Sequence, residues 1–424
     1  MKKESMDLEL TQITLIVLFA LAGGLIFSWV KQPPILGYIL CGMVLGPSGF
    51  AVVSSRETIS FASELGIIFL MFAVGFELHL NKLKNIWKIA LGTSLGQILI
   101  SFLLMYALSF YFKWSMILTV LFGFIVALSS TSVIVKILET LKQTDTENGQ
   151  RTIAILVAQD LAIIPMIMFL ESMTHGHFSP EIFLKIVFSF MLIIGLILFL
   201  TTTENISLPF SRVVFNDTEL VTLTSFTFCV AASWIASQIG LSQPLGAFLA
   251  GLFLGNTEQR KILLNKIKPI QTILLTVFFF SVGSLIDFQY LLQNLWSFIA
   301  FLFIVTVGKS IANTLLLRLF RLSWSDALIV GILLAQIGEF SFLLVSKAKS
   351  LKILLGEEEM QIIGLTVLSI SFSPIWIKIV KKMCITTDVN IVSFKALIRY
   401  LLKDNIIKYY TKMKSFLGFK SQQT

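Results

Sequence analysis

The sequence predicts an all-α polytopic membrane protein with 13 transmembrane helices, built as two inverted six-helix repeats around one connecting helix. Three observations predict it. Of the 424 residues 56% are hydrophobic and only 13% charged, with a mean hydropathy of +0.88, whereas a soluble domain is about one quarter charged. Apolar runs of the roughly 20 residues needed to cross a bilayer recur from end to end. Finally, short motifs of the first half return in the second at a near-constant offset.

The segments lie near residues 10–30, 34–50, 58–79, 86–112, 115–140, 150–173, 181–203, 217–239, 243–259, 268–286, 289–319, 325–350 and 357–382. Each is read as a helix, because a spanning backbone has no water with which to satisfy its N–H and C=O groups. The first lacks a small-residue cleavage site and is read as a retained helix. Basic residues such as Lys82, Lys84, Lys142, Arg151, Arg260 and Arg321 fall in the loops after odd-numbered segments; the opposite side is poorer. The positive-inside rule then sets the N-terminus outside and the C-terminus in the cytoplasm. The net charge of +9 is spread over these loops and the tail, a pattern that suits lipid headgroups and not nucleic acid. Cys41, Cys229 and Cys384 have neither a metal-site spacing nor a disulfide pattern, and read as small core residues.

The repeat is carried by "LGYILCGMVLG" (36–46) and "LGAFLAGLFLG" (245–255), identical at six of eleven positions with an offset of 209. At an offset of 208, "LMFAVGFELHL" (70–80) meets "FFFSVGSLIDF" (278–288), and Gly123 and Ala127 meet Gly331 and Ala335. Segments 1–6 therefore pair with 8–13. Partners seven segments apart cross the membrane in opposite directions, an arrangement associated with secondary transporters.

Segment 5 carries Ser129, Ser130, Thr131 and Ser132 in its middle, and segment 12 carries Gln336, Gly338, Glu339 and Ser341 at the corresponding depth. Hydroxyl and glycine clusters of this kind interrupt helices, and two interruptions crossing mid-membrane would bring positive N-ends and negative C-ends together. Three ionisable residues lie in the same zone: Asp160 in segment 6, Lys309 in segment 11 and Glu339 in segment 12. A charge there costs about 2.5–3.5 kcal/mol on insertion scales, so it is retained for function and kept compensated. His175 and His177 have no third ligand nearby. No nucleotide-binding glycine loop, Ser/His/Asp constellation or zinc motif is present, so neither enzyme chemistry nor a bound cofactor is expected.

The ordered set "PPILGYILCGMVLGP", "ALSSTSVIVKILE", "AQDLAIIPM", "LGAFLAGLFLGN", "FFFSVGSLIDF" and "AQIGEFSFLL" resembles the monovalent cation:proton antiporter-2 family over residues 10–382. That family includes Kef-type potassium efflux systems and bacterial sodium/proton antiporters. The resemblance implies the sodium/proton antiporter fold in a multi-pass homodimer of the cell membrane, with a transmembrane domain over 1–382. Its dimerisation unit would comprise about 10–79 and 217–286, its mobile core about 86–173 and 289–382, and its linker helix about 181–203. It also implies elevator-type exchange of Na+ or K+ for H+. Asp160 would be the ion-binding carboxylate, with Gln159, Ser130 and Thr131 completing the oxygen shell, and Lys309 and Glu339 would compensate charge. Some relatives place an acid where this chain has Gln159, so Lys309 must find Asp160, Glu339 or a helix C-end instead. A single carboxylate at the paired position points to electroneutral exchange.

Residues 383–424 are too few for the nucleotide-binding domain of the Kef systems, and read as a basic amphipathic cytoplasmic tail on anionic lipid. This leaves regulation to a separate subunit, if any. The competing reading is a cation channel or channel-like potassium efflux subunit. Lysine- and isoleucine-rich usage points to a bacterial source.

Overall fold

The computed structural model describes residues 2–30, 32–52, 56–77, 86–140, 142–174, 180–202, 217–239, 241–284, 286–354 and 356–385. His175, His177 and the tail beyond 385 lie outside them. Every regular element among the described residues is a helix: α1 (Lys2–Trp29), α2 (Pro34–Leu45), α3 (Arg56–Glu77), α4 (Trp87–Phe112), α5 (Met116–Ala127), α6 (Thr131–Thr140), α7 (Glu147–Thr174), α8 (Pro180–Thr202), α9 (Thr218–Gln238), α10 (Gln243–Gly255), α11 (Arg260–Ser284), α12 (Phe288–Gln293), α13 (Leu295–Leu319), α14 (Trp324–Leu333), α15 (Phe340–Ser350) and α16 (Glu357–Ile385).

Local chemistry sets the helix starts. Ser115, Asp217, Asp287 and Ser323 cap α5, α9, α12 and α14 by accepting hydrogen bonds from first-turn N–H groups, and Pro34 opens α2 where no N–H is needed. Among the described residues five helices are long and apolar enough to cross a membrane: α4, α7, α9, α11 and α13. Others fall short of the spans read from hydropathy for a geometric reason. The helices α2 and α10 hold only 12 and 13 residues, less than the roughly 30 Å of a hydrocarbon core at 1.5 Å per residue. Segments 5 and 12 are each divided into two short helices.

Large apolar side chains cover much of the surface, and polar groups lie among the apolar residues of the interior. Along α4, Leu91, Leu95, Leu99, Leu103 and Phe110 are exposed, while Thr93, Ser94, Gln97 and Ser101 are buried. With lipid outside, the apolar face needs no cover; inside, Gln97 bonds to Gln159 and Asn313, while the buried Thr93 and Ser94 hydroxyls have no hydrogen-bond partner among the described residues.

Packing is densest within two groups. One comprises α1, α2, α3, α9, α10 and α11; the other comprises α4, α5, α7, α13, α14, α15 and α16. Glycines set the closest crossings in the first group. A Cβ on Gly42 would lie 2.0 Å from the Phe280 carbonyl oxygen, and one on Gly283 would lie 1.9 Å from that of Ile39, where α2 meets α11. Where α10 meets α3, Gly251 and Gly75 stand in the same relation to Phe72 and Phe248, at 2.0 and 2.2 Å. Gly42 and Gly251 are equivalent in the repeated motif, as are Gly75 and Gly283. Each pair of equivalent glycines thus serves the same contact.

Candidate functional site

Segment 5 is interrupted between Ala127, the last residue of α5, and Thr131, the first of α6. Segment 12 is interrupted between Leu333, which ends α14, and Phe340, which starts α15. The two interruptions touch. The Gly338 N–H donates to the Leu128 carbonyl at 3.2 Å, the Ser129 hydroxyl to the Leu334 carbonyl at 2.8 Å, and the Gln336 amide to the Ser130 carbonyl at 3.3 Å. A side chain on Gly338 would put a Cβ 2.5 Å from the Ser129 carbonyl oxygen, so glycine is what lets the two backbones meet. Helix α16 contributes Ser369, whose hydroxyl accepts the Ile337 N–H at 2.8 Å. Freed backbone groups inside a membrane must be accounted for, and these bonds account for many of them.

Charge is distributed according to the helix ends. The Lys309 ammonium, on α13 and 3% exposed, donates to the carbonyls of Leu128 (3.0 Å), Ala127 (3.5 Å) and Gln336 (2.8 Å), and to the Ser129 hydroxyl (3.3 Å). It therefore sits on the C-terminal end of α5 and on the carbonyls that follow α14, where each helix carries about half a negative charge. Of the three partners left open by the sequence, the helix C-ends are the ones that it meets. The two carboxylates lie at the opposite ends. Glu339 immediately precedes α15 and accepts a short hydrogen bond from Ser130. Asp160 accepts the Thr131 hydroxyl on both oxygens, at 3.0 and 3.2 Å. Thr131 is the first residue of α6, so its bond brings the Asp160 carboxylate to that helix's positive N-end.

Asp160, Gln159, Ser130 and Glu339 are all buried, and Thr131 is partly so. The structure gathers the six residues singled out by the sequence around one crossing. Gln159 turns its carbonyl oxygen to the Ser129 N–H at 3.0 Å. Sequence reasoning missed Gln97, Asn313 and Ser369, which also bond at this crossing or to residues of it. The available signal was an amide or hydroxyl inside an apolar helix, which must find a partner there.

A water-accessible cavity of ≈ 430 Å³ opens between the two packing groups, lined by Glu64, Ile67 and Ile68 of α3, Gln243 and Pro244 of α10, Ile167 and Glu171 of α7, and Leu343 and Lys347 of α15, among others. Lys347 and Glu171 form an ion pair of 2.5 Å within it. Asp160, Ile164, Ile167 and Glu171 follow one face of α7 at helical spacing. The lining ends at Ile167, seven residues or roughly 10 Å along the axis from Asp160. Among the described residues no group of three or more His, Cys, Asp or Glu side chains is arranged to hold a resident metal.

Comparison with known proteins decides the family. Residues 15–382 match the model of the transmembrane sodium/hydrogen exchanger family. The chain belongs to the sodium/hydrogen exchanger family. It is 38% identical over 396 residues to the iron transporter MagA of Paramagnetospirillum magneticum, covering 93% of this chain and 91% of that one. With K(+) efflux antiporter 5 of Arabidopsis thaliana it shares 30% identity over 381 residues, 88% of this chain and 67% of the plant protein. The solved structure of the sodium proton antiporter MjNhaP1 from Methanocaldococcus jannaschii superimposes with a TM-score of 0.69 over 90% of this chain and 99% of that one, at 17% identity, a likeness of fold. The antiporter resemblance read from the motifs therefore holds. This sodium/hydrogen exchanger family member is a multi-pass membrane protein, a cation/proton antiporter and not an enzyme.

Proposed function

We propose that the protein exchanges one monovalent cation, Na+ or K+, for one proton at Asp160, which holds either ion but not both. The observation that carries this reading is the buried Asp160 carboxylate, held by Thr131 at the N-end of α6, beside two touching helix interruptions. A hard monovalent cation needs oxygen ligands in place of water. Asp160, the Thr131 and Ser130 hydroxyls and the Gln159 carbonyl are the oxygens at hand, and Lys309 and Glu339 compensate the helix ends.

Charge balance supports the stoichiometry. With Lys309, Asp160 and Glu339 ionised, the side chains of the crossing carry one net negative charge, and the two positive and two negative helix ends cancel. One monovalent cation, or one proton, restores neutrality. A site that is neutral with either ion can cross, whereas an empty, charged one faces the desolvation penalty; this couples the two fluxes. Outward cation movement then follows from an inward proton gradient.

The packing groups support an elevator, with about 10–79 and 217–286 as the dimerisation unit, about 86–173 and 289–382 as the moving core, and α8 as the linker. The cavity between α3, α10, α7 and α15 lies along the boundary where such a core would slide. The motif repeat, with glycine contacts shared by equivalent positions, supports inverted halves and 13 spans. The basic loops favour an outside N-terminus and a cytoplasmic C-terminus in a bacterial cell membrane.

The test is exchange by the purified protein in liposomes carrying an internal pH dye, with Na+, K+, Li+ and Rb+ supplied in turn. At least one of Na+ and K+ should drive proton movement, with a rate unaffected by a membrane voltage imposed in separate runs. Cation flux without pH change would support the channel reading, and a voltage-dependent rate would refute one-for-one exchange.

A further inference from the structure

Three buried amides join the two helix interruptions, and the roles given above to Asp160 and Lys309 do not require them. The Ser129 N–H donates to Gln159 Oε1 at 3.0 Å. Gln159 Nε2 donates to Gln97 Oε1 at 2.6 Å, and Gln97 Nε2 donates to Asn313 Oδ1 at 2.9 Å. Asn313 Nδ2 ends the relay on the carbonyls of Gly331 and Leu334, both at 3.2 Å. Gln97, Gln159 and Asn313 are 1–2% exposed, so bulk water cannot substitute for any link.

The direction of the relay is fixed at both ends. A backbone N–H can only donate and a backbone carbonyl can only accept, so turning any one amide around would set two donors or two acceptors face to face. The usual ambiguity of amide orientation is thereby removed. We propose that Gln97 and Asn313 are positioning residues whose relay holds the Gln159 carbonyl toward the Asp160 crossing and its NH2 group toward α4. A cation at the crossing then meets an oxygen with a second lone pair to offer, whereas a turned amide would present two N–H groups and repel it. Gln97, on the buried face of α4, thus helps to set cation affinity. This inference rests on the ion-site reading of Asp160 and Gln159.

The experiment measures apparent KM and maximal rate for Na+ and K+ in the same liposomes. Gln97→Met keeps the side-chain length and removes both the acceptor that faces Gln159 Nε2 and the donor that faces Asn313 Oδ1; Gln97→Glu, with its carboxyl protonated, keeps an acceptor for Gln159 Nε2 and an O–H donor for Asn313 Oδ1. The methionine variant should raise KM about tenfold with little change in maximal rate, equivalent to about 1.4 kcal/mol, and the glutamate variant should stay within about threefold of the unaltered protein. An unchanged KM in Gln97→Met, or an equal rise in both variants, would overturn the proposal. Should Gln97→Met fail to elute as folded protein, Asn313→Ala decides in the same way: a raised KM supports the relay and an unchanged one overturns it. Exchange persisting in Asp160→Asn would remove the ion-site reading itself; an inactive Asp160→Asn alongside an unaltered KM in Gln97→Met would remove the relay alone.

Discussion

Asp160→Asn is expected to reduce cation/proton exchange at least about a hundredfold while leaving the protein folded. Asparagine has nearly the shape of aspartate and still offers an oxygen to the Thr131 hydroxyl, now 3.0 and 3.2 Å from the two carboxylate oxygens. It carries no charge to balance a cation and takes no proton near neutral pH. Both exchanged ions lose their site, which on a transition-state scale is a cost of about 2.7 kcal/mol or more. Burial is a further reason for the fold to survive: a charge is costly in this environment, and the substitution removes one. The measurement is dequenching of a pH dye in everted vesicles on addition of Na+ or K+, with the amount of inserted protein determined in parallel. Exchange near the unaltered rate would reject Asp160 as the binding carboxylate.

Lys309→Met is expected to act first on stability. The ammonium serves three carbonyls and one hydroxyl around the two interruptions, and methionine supplies none of those hydrogen bonds. Each buried acceptor left without a donor costs about 1–3 kcal/mol, and two partial negative helix ends lose their counter-charge. Against this, methionine avoids the desolvation of a buried ammonium. Removing one side of a buried, fully bonded charge system has nevertheless cost about 3–5 kcal/mol elsewhere, so the loss outweighs the gain. In a detergent melt followed by size-exclusion chromatography, the midpoint should fall by several degrees, with exchange lost at temperatures where the unaltered protein works. An unchanged midpoint would mean that the helix ends need no cation.

Much of this site was legible in the sequence, for a physical reason. Serines and glycines interrupting an apolar run, or an aspartate within one, stand out against a background on which lipid imposes near-uniform hydrophobicity. Hence Ser130, Thr131, Asp160, Lys309 and Glu339 could be named from composition and repeat alone. Their assignment to opposite helix ends could not be read there. It depends on how α5, α6, α14 and α15 cross, and the sequence left Lys309 with three candidate partners. Gln97 and Asn313 escaped notice because a lone amide in an apolar helix resembles any interhelical polar contact, and its partner lies 216 residues away. Span lengths were overread at α2 and α10: the segments 34–50 and 243–259 run past the last helical residues, Leu45 and Gly255, into turns that hold Gly46, Pro47, Ser48 and Gly49 in one case and Asn256, Thr257, Glu258 and Gln259 in the other.

The most direct measurement is the apparent KM for the transported cation as a function of pH, at equal pH on both sides of the liposome. If one carboxylate takes the cation and the proton by turns, protons act as competitive inhibitors. KM should then rise about tenfold for each unit by which pH falls below the titration of the site, while maximal rate at saturating cation stays constant. A KM independent of pH, with acid lowering only the maximal rate, would mean that the two ions occupy separate sites.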